Sequence, residues 1–153
     1  MKVLITGGAG FIGYHLAKNL ISKGYSVDLV DDFSRAVMDS SLKKLINEQG
    51  VSLININLLS EIDCKKIKNH YNYIYHLAAV IGVKHVLASP QIVLSNNFLL
   101  LNNAIAIAKR QKNLDRFVFA STSEVYAGTL AHFGLEFPTL ESTVLTVNDL
   151  SQT

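Results

Sequence analysis

The octapeptide TGGAGFIG at 6–13 is the feature that most constrains how this chain folds. It follows a short apolar run at 2–6 and opens a stretch with helical spacing at 10–23. Its glycines fit two overlapping patterns, Gly8-x-Gly10-x-x-Gly13 and Gly7-x-x-Gly10-x-x-Gly13. Glycines so placed allow a tight turn, close approach of a pyrophosphate to the backbone, and packing of a helix on a strand. The motif therefore predicts a dinucleotide site at a helix N-terminus, the alternative being a turn with only a packing role.

An acidic residue follows this motif at the distance expected for a ribose-binding side chain. The second apolar run, SVDLVD at 26–31, ends in Asp31, close to the spacing of about 20 residues that separates the last glycine from this acid. A carboxylate here accepts hydrogen bonds from the 2′-hydroxyl of an adenosine ribose and repels a 2′-phosphate. The sequence therefore favours NAD over NADP, although Arg35 is a cation that could pair with a phosphate.

Short apolar runs alternate with helical segments along most of the chain. Predicted strands occupy 2–6, 26–31, 51–56, 73–78 and 116–122, and predicted helices occupy 10–23, 41–49, 61–69 and 90–112. Such alternation predicts right-handed crossovers and a parallel sheet. We expect an α/β fold with a Rossmann-like doubly wound parallel sheet of about five strands, in the order 3-2-1-4-5, with helices on both faces. We assign 1–126 to this domain and expect an irregular tail over 127–153.

Composition narrows the classes of function. With 153 residues, 49% of them hydrophobic, the chain has the size of one domain with a substantial core. A net charge of +2 without a lysine- or arginine-rich block argues against nucleic-acid and membrane-surface binding. Cys64 is the sole cysteine, which excludes an internal disulfide, argues against a thiolate metal cluster and fits a reducing cytoplasm. Serines, asparagines and a proline interrupt the apolar stretch at 86–108 and argue against a membrane span.

Six segments together resemble the extended short-chain dehydrogenase/reductases, specifically the NAD-dependent epimerase/dehydratase family that acts on nucleotide sugars. They are TGGAGFIG at 6–13, VDDFS at 30–34, HLAA at 76–79, Pro90, NN at 96–97 and STSEVY at 121–126. Their order and spacing match over nearly the whole chain. STSEVY is most similar to UDP-glucuronate decarboxylases and related polysaccharide-biosynthesis epimerases. The resemblance implies NAD as the cofactor and a nucleotide-diphosphate sugar as the substrate of the parent enzyme.

The resemblance also implies which residues contact the cofactor. The glycine loop would hold the pyrophosphate, and the ends of the second, third and fourth strands would hold the ribose, the adenine and the nicotinamide half. Asn97 would brace the strand ends, and Ser121 would approach the nicotinamide side. The full set is Gly7, Gly10, Phe11, Ile12, Gly13, Asp31, Asp32, Ser34, Arg35, Asn57, Leu58, Leu77, Ala78, Ala79, Asn97 and Ser121. Asn57 stands where the family usually has aspartate, and its amide can still donate and accept hydrogen bonds. Residues 77–79 and the asparagine pair also suit ordinary strand and helix-surface positions.

The stretch STSEVY supplies the candidate catalytic groups. In the family, Thr122 occupies the position whose hydroxyl hydrogen-bonds the sugar oxygen being oxidised, and Glu124 that of a carboxylate kept by dehydratases and decarboxylases. Oxidation at C4 of the sugar acidifies neighbouring C–H bonds, so a positioned glutamate can move protons. The same residues also suit a helix cap. The apolar VIGV at 80–83 replaces polar groups of 4,6-dehydratases, and a leucine pair at 100–101 replaces a small Gly-Thr pair.

The family's catalytic tyrosine and lysine, four residues apart on a helix, have no usable match. The only Tyr-x-x-x-Lys joins Tyr14 to Lys18 in the first predicted helix, where we expect side chains to face solvent or the sheet. We therefore expect the N-terminal portion of a longer enzyme; a non-catalytic dinucleotide-binding module and a reductase or sensor on the same fold are alternatives. The helix at 90–112 is apolar nearly all round and in the family contributes to a dimer interface, so we expect a homodimer through this helix, the alternative being that core packing accounts for the apolar pattern. The edge of the fifth strand should be unpaired.

Overall fold

The computed structural model describes residues 1–146, apart from the side chains of residues 83–85. The strands are β1 (Lys2–Thr6), β2 (Ser26–Asp31), β3 (Val51–Asn55), β4 (Tyr73–His76) and β5 (Arg116–Phe119). The helices are α1 (Phe11–Ser22), α2 (Ser40–Ile46), α3 (Glu61–Cys64), α4 (Val83–Ala88), α5 (Pro90–Lys109) and α6 (Ala127–Phe133), with a 3₁₀ turn at Ser123–Tyr126. The chain divides into two compact units, the first being Met1–Ala120 and the second beginning at Ser121.

The five strands form one parallel sheet in the order β3-β2-β1-β4-β5. This confirms the predicted fold class and strand order. Thr6, the last residue of β1, pairs in register with Val30 of β2 and His76 of β4. The carboxyl ends of these three strands therefore meet at one edge, which is where open α/β sheets bind ligands.

The alternation of side chains along the central strands divides the core between the two faces of the sheet. Val3 and Ile5 lie in a buried cluster with residues of α1 and α2. Leu4, between them, lies in a second cluster with Cys64 of α3 and Leu100 of α5. Because successive strand residues point to opposite faces, one apolar strand supplies both clusters. Helices on both faces are therefore confirmed.

Several elements are shorter than the sequence predicts. The third to fifth strands end one, two and three residues before their predicted ends at 56, 78 and 122, and α3 is a single turn rather than a helix over 61–69. Local caps explain some boundaries. Asp39 accepts a hydrogen bond from the Leu42 N–H at 2.8 Å and so starts α2, and Ser60 does the same for α3 through Asp63.

The segment after the predicted domain contains a helix, whereas we expected it to be irregular. α6 covers Ala127–Phe133, and 134–146 contains neither helix nor strand. The Thr129 hydroxyl, buried in this unit, donates to the Val144 carbonyl at 2.7 Å and accepts from the Thr146 N–H at 3.1 Å. This contact stabilises a helix that composition does not predict. The remainder of the predicted tail, 147–153, lies outside the described residues.

The long helix α5 is apolar enough, by length and composition alone, to cross a membrane, a test that core helices of globular domains also pass. Within the part of the chain that the structure describes, one of its faces is buried, through Leu100, Asn103, Ala104 and Ile107. Even that face carries a polar contact, because the buried Asn103 amide donates to the Leu58 carbonyl at 2.7 Å. Ile92, Leu94 and Phe98 remain exposed, so packing among the described residues does not explain the all-round apolar character of α5.

Candidate dinucleotide-binding cleft

A cleft of about 1310 Å³ opens at the carboxyl edge of the sheet in the first unit. Its walls come from the glycine loop after β1 and from the segments that follow β2, β3 and β4. From the predicted cofactor-binding set it brings together Gly7, Gly10, Phe11, Ile12, Gly13, Asp31, Asp32, Ser34, Arg35, Asn57, Leu58, Leu77, Ala78 and Ala79. Residues from four separate parts of the sequence therefore share one concave surface.

The floor of the cleft is bare backbone. Gly7 has φ of +67°, a conformation that side chains disfavour, and a Cβ there would lie 2.9 Å from the Ala78 nitrogen. A Cβ on Gly13 would lie 2.5 Å from the Gly7 carbonyl oxygen. The glycines thus allow the loop to touch both the end of β4 and the first turn of α1. A pyrophosphate can approach such a cradle because no side chain stands in its way.

The N-terminus of α1 points its unpaired donors at the same cleft. Gly10 is the N-cap residue and provides no side-chain acceptor, and the first turn contains no acidic residue. Phe11 and Ile12, the first helical residues, are 81% and 65% exposed. Unpaired N–H groups and the positive end of the helix dipole favour an anion at this position. The residues present therefore fit the pyrophosphate of a dinucleotide.

Asp31 is held in the cleft by the backbone on two sides. Its Oδ2 accepts from the Ala9 N–H of the glycine loop at 3.1 Å, and its Oδ1 accepts from the Phe33 N–H at 3.0 Å. Asp32 fixes the following turn, since its Oδ1 accepts from the Ser34 N–H at 2.9 Å. The Asp31 carboxylate is therefore oriented before any ligand arrives, and its remaining lone pairs can accept hydroxyl hydrogens.

Two other predicted residues have definite local partners. The Arg35 guanidinium donates to the Ile81 carbonyl at 2.9 Å and so joins the segment after β2 to the segment after β4. The Asn57 Oδ1 accepts from the Leu59 N–H at 2.8 Å, which leaves its amide hydrogens to act as donors toward a ligand. The Leu58 side chain is almost completely buried, so its main contact is with the core.

Asn97 acts on the cleft through the loop after β4. Its Oδ1 accepts from the Val80 N–H at 2.7 Å, and its Nδ2 donates to the Val80 carbonyl at 2.9 Å. Val80 lines the cleft, whereas Asn97 is not among the lining residues. One side chain of α5 thus satisfies both polar groups of a loop residue, which fixes the position of that loop.

Sequence reasoning missed some residues that border the cleft. Tyr14, His15 and Lys18 of α1 line it, although we expected the Tyr14–Lys18 pair to face solvent or the sheet. A signal for this was present, because positions four apart lie on one helical face and Gly10, Tyr14 and Lys18 continue that row. Tyr14 also packs against the cluster beneath α1, while Lys18 is exposed.

The candidate catalytic residues lie in the second unit, and all of them are exposed. Ser121 and Thr122 follow the end of β5, and Thr122 Oγ1 accepts from the Glu124 N–H at 3.2 Å. Thr122 therefore caps the 3₁₀ turn that contains Glu124, which is the structural role considered above for this stretch. Among the side chains that the structure describes, those of residues 1–82 and 86–146, no group of histidine, cysteine, aspartate and glutamate could hold a metal ion.

Comparisons with known proteins agree with this geometry. Residues 3–144 match the NAD dependent epimerase/dehydratase family. The chain is 35% identical over 128 residues to UDP-N-acetyl-alpha-D-glucosaminuronate decarboxylase of Bacillus cytotoxicus, which covers 82% of this chain and 37% of that protein. It is 34% identical over 137 residues to a UDP-glucose 4-epimerase of Caenorhabditis elegans, with 82% and 39% covered. The chain thus spans well under half the length of these relatives.

The fold is also similar to that of a solved UDP-glucose 4-epimerase. The UDP-glucose 4-epimerase of Bifidobacterium longum, crystallised with NAD+ and UDP, superposes with a TM-score of 0.80 at 26% identity. The superposition covers 95% of this chain and 43% of that one. Since the family match extends over nearly the whole chain and the curated relatives agree with it, the chain belongs to the NAD-dependent epimerase/dehydratase family.

Proposed function

We propose that this chain is the NAD-binding portion of a nucleotide-sugar epimerase, dehydratase or decarboxylase that works through transient oxidation at C4 of the sugar. The observation that carries the proposal is the cleft, in which a backbone cradle, an uncapped helix N-terminus and the fixed Asp31 carboxylate come together. The bare backbone allows close approach of the pyrophosphate, the helix N-terminus favours its negative charge, and the carboxylate can accept hydrogen bonds from the ribose hydroxyls. Membership of the family supports it independently.

Each wall of the cleft has a proposed role. The pyrophosphate lies against Gly7, Gly10 and the N–H groups of residues 11–13, and the adenosine ribose donates to Asp31. The side chain of Asn57 donates to the adenine, and residues 77–79 border the nicotinamide half. The carboxylate at Asp31 repels a 2′-phosphate, so NAD binds in preference to NADP. Asp32, Ser34 and Arg35 line the adenosine side of the cleft.

In the whole enzyme, bound NAD supplies the acceptor for a hydride from C4 of the sugar. The Thr122 hydroxyl hydrogen-bonds the sugar oxygen that becomes a carbonyl, and Ser121 approaches the nicotinamide side. Glu124 moves a proton at the carbon next to the new carbonyl, where the C–H bond has become acidic. The relatives named above, a decarboxylase and an epimerase, support this range of reactions. The substrate is a nucleotide-diphosphate sugar, and the pathway is polysaccharide biosynthesis in the cytoplasm.

Titration calorimetry of the chain with NAD and with NADP tests the binding proposal. We expect saturable NAD binding that is tighter than NADP binding, and an Asp31→Asn variant that has lost most of this preference. Asp63→Asn, which removes a carboxylate on α3 that does not line the cleft, is the matched control and should bind like the wild type. The absence of any NAD signal from folded wild-type protein would refute the proposal.

A second assay separates catalysis from binding. NADH absorbance and the nucleotide-sugar products are both followed after addition of UDP-glucuronate or UDP-glucose to the NAD-loaded chain, because transient oxidation returns the hydride to the sugar and leaves no net NADH. Turnover would show that these residues suffice for the chemistry. Binding without turnover would favour the alternative of a non-catalytic dinucleotide-binding module. The given sequence is consistent with that alternative, because its one Tyr-x-x-x-Lys, Tyr14 to Lys18, lies in the first helix and is not a usable catalytic pair.

We also propose that the exposed apolar face of α5 forms a homodimer interface. Leu94 and Phe98 are both 73% exposed, one helical turn apart, and nothing within residues 1–146 covers them. Light scattering of the wild type should give a dimer, and Phe98→Glu should give a monomer. Ile62→Glu is the control, because Ile62 is equally exposed but belongs to another helix, α3. A wild type that stays monomeric at high concentration would refute the interface.

A further inference from the structure

A buried hydrogen-bond junction joins the end of β1 to the end of β4, beneath the cleft. Thr6 Oγ1 lies 2.7 Å from His76 Nδ1, and both residues are almost completely buried. The same oxygen lies 3.2 Å from the Leu77 nitrogen and 3.3 Å from the Ala78 nitrogen. One hydroxyl therefore contacts the His76 ring and two backbone amides at the point where β4 becomes the cleft wall.

The donors at this junction fix where the protons lie. The Ala78 N–H donates to Thr6 Oγ1. The Leu77 N–H donates both to Thr6 Oγ1 and to the Thr6 carbonyl oxygen, so the two amides together use the lone pairs of Oγ1. The hydroxyl hydrogen must then be donated to His76 Nδ1. An Nδ1–H would instead bring a third donor to that oxygen and leave the hydroxyl hydrogen without an acceptor. His76 is therefore neutral, with its hydrogen on Nε2.

We propose that His76 is a positioning residue for the dinucleotide site, acting through the Thr6 hydroxyl that it orients toward the amides of Leu77 and Ala78. This rests on the proposed NAD-binding function. The neighbouring residue shows why position matters here, since a Cβ on Gly7 would lie only 2.9 Å from the Ala78 nitrogen. Backbone of the glycine loop and backbone of the β4 end are thus in contact, and a small shift of the β4 end changes the cradle.

The surroundings of His76 keep the ring in this state. Its ring is stacked beside Phe117 and Phe119 of β5, at centroid distances of 6.4 and 6.0 Å. Burial lowers the pKa of His76 from 6.5 to about 4. Helix α5 covers the face of the sheet on which His76 lies. Its buried residues are Leu100, Asn103, Ala104 and Ile107, none of which titrates. Burial thus accounts for the lowered pKa, and the ring stays an acceptor at neutral pH.

Two substitutions at position 6 separate the hydroxyl from the shape of the side chain. Thr6→Val has the same shape without the hydroxyl, and Thr6→Ser keeps the hydroxyl. We expect Thr6→Val to weaken NAD binding by about tenfold, the effect of one buried hydrogen bond, and Thr6→Ser to bind within about threefold of the wild type. Tyr71→Phe is the control for general destabilisation, since it removes a buried hydroxyl bonded to Asp28 at the opposite end of the sheet. It should bind NAD like the wild type.

Nitrogen NMR of the histidine ring tests the proton assignment without any ligand. In the wild type at pH 7 we expect Nδ1 without a proton and Nε2 with one, and a shifted Nδ1 resonance in Thr6→Val but not in Thr6→Ser. A protonated Nδ1 in the wild type, or equal NAD affinity in Thr6→Val and wild type, would overturn the positioning role. If the folded wild type binds no NAD, the proposed function fails and this role fails with it, whereas the other two outcomes leave the proposed function intact.

Discussion

Acid should destabilise this protein through His76 before it titrates most carboxylates. The ring is 2% exposed, and burial lowers its pKa from 6.5 to about 4. Between these two pH values the unfolded chain binds a proton at this site and the folded chain does not. The contribution of His76 to the free energy of unfolding therefore rises with pH across this window. It is fully present above pH 6.5 and is lost as the pH falls toward 4.

The size of the effect follows from the separation of the two pKa values. Integration of the linkage relation gives a loss of about 2 kcal/mol at pH 5 and about 3 kcal/mol at pH 4, relative to neutral pH. Such a loss is a large part of the stability of a typical domain, which is about 5–15 kcal/mol. The protein should consequently unfold at much lower urea concentration at pH 5 than at pH 7.

A comparison with His76→Asn isolates this contribution. The asparagine oxygen can accept the Thr6 hydroxyl but does not titrate, so carboxylates contribute equally to both proteins. Urea unfolding followed by circular dichroism at pH 7, 6 and 5 should give curves whose midpoints diverge as the pH falls, with the wild type losing more. Parallel loss in both proteins would refute the reasoning, as would a His76 pKa near 6.5 in a direct NMR titration of the wild type.

Four substitutions test other parts of the structure. Gly13→Ala places a Cβ 2.5 Å from the Gly7 carbonyl oxygen, whereas Gly10→Ala places a Cβ 3.2 Å from the same oxygen. Calorimetry should therefore show that Gly13→Ala reduces NAD affinity at least about 100-fold and that Gly10→Ala reduces it clearly less. Asp31→Asn removes a carboxylate oxygen that accepts a backbone N–H, so urea unfolding should show a loss of about 1–3 kcal/mol; unchanged stability would contradict the two-sided bonding. Tyr71→Phe removes the 2.6 Å bond to Asp28 Oδ2 and should cost about 1–3 kcal/mol in urea unfolding; an equally stable variant would show that the Lys2 ammonium, 3.0 Å from the same oxygen, is a sufficient partner.

The glycine motif and the strand pattern were sufficient to predict the sheet, because both reflect local constraints. A parallel strand buried on both faces is apolar at most positions, and β1 and β2 have the bounds that this pattern predicts, although β2 also contains the buried Asp28. The end of β4 was overestimated because the apolar residues Leu77 and Ala78 follow its last paired residue. Sequence composition also gave no sign of α6, whose stability depends on the contacts of Thr129 with a segment about 15 residues away.

The cleft could be predicted only where a motif names its residues. Asp31 and the glycines were found because their spacing is characteristic, but the Thr6–His76 junction was not, since the two residues are 70 positions apart. Neither side chain is unusual in a strand, and their function arises only from the parallel register that places them side by side. Register is a property of the whole sheet, which explains why single-segment patterns miss such pairs.

The cleft is ordered by side chains that accept hydrogen bonds from its own backbone. Asp31 holds the glycine loop, Thr6 holds the end of β4, and Asn97 holds Val80 in the next loop. A loop whose position is fixed during folding loses little conformational entropy when a ligand binds. These contacts therefore raise the affinity even where the side chains that make them do not contact the ligand. Their loss should therefore have a distinct signature. Removal of the Thr6 hydroxyl should weaken NAD and NADP by the same factor, whereas removal of the Asp31 charge should change the ratio between them, because only that group meets the 2′-position.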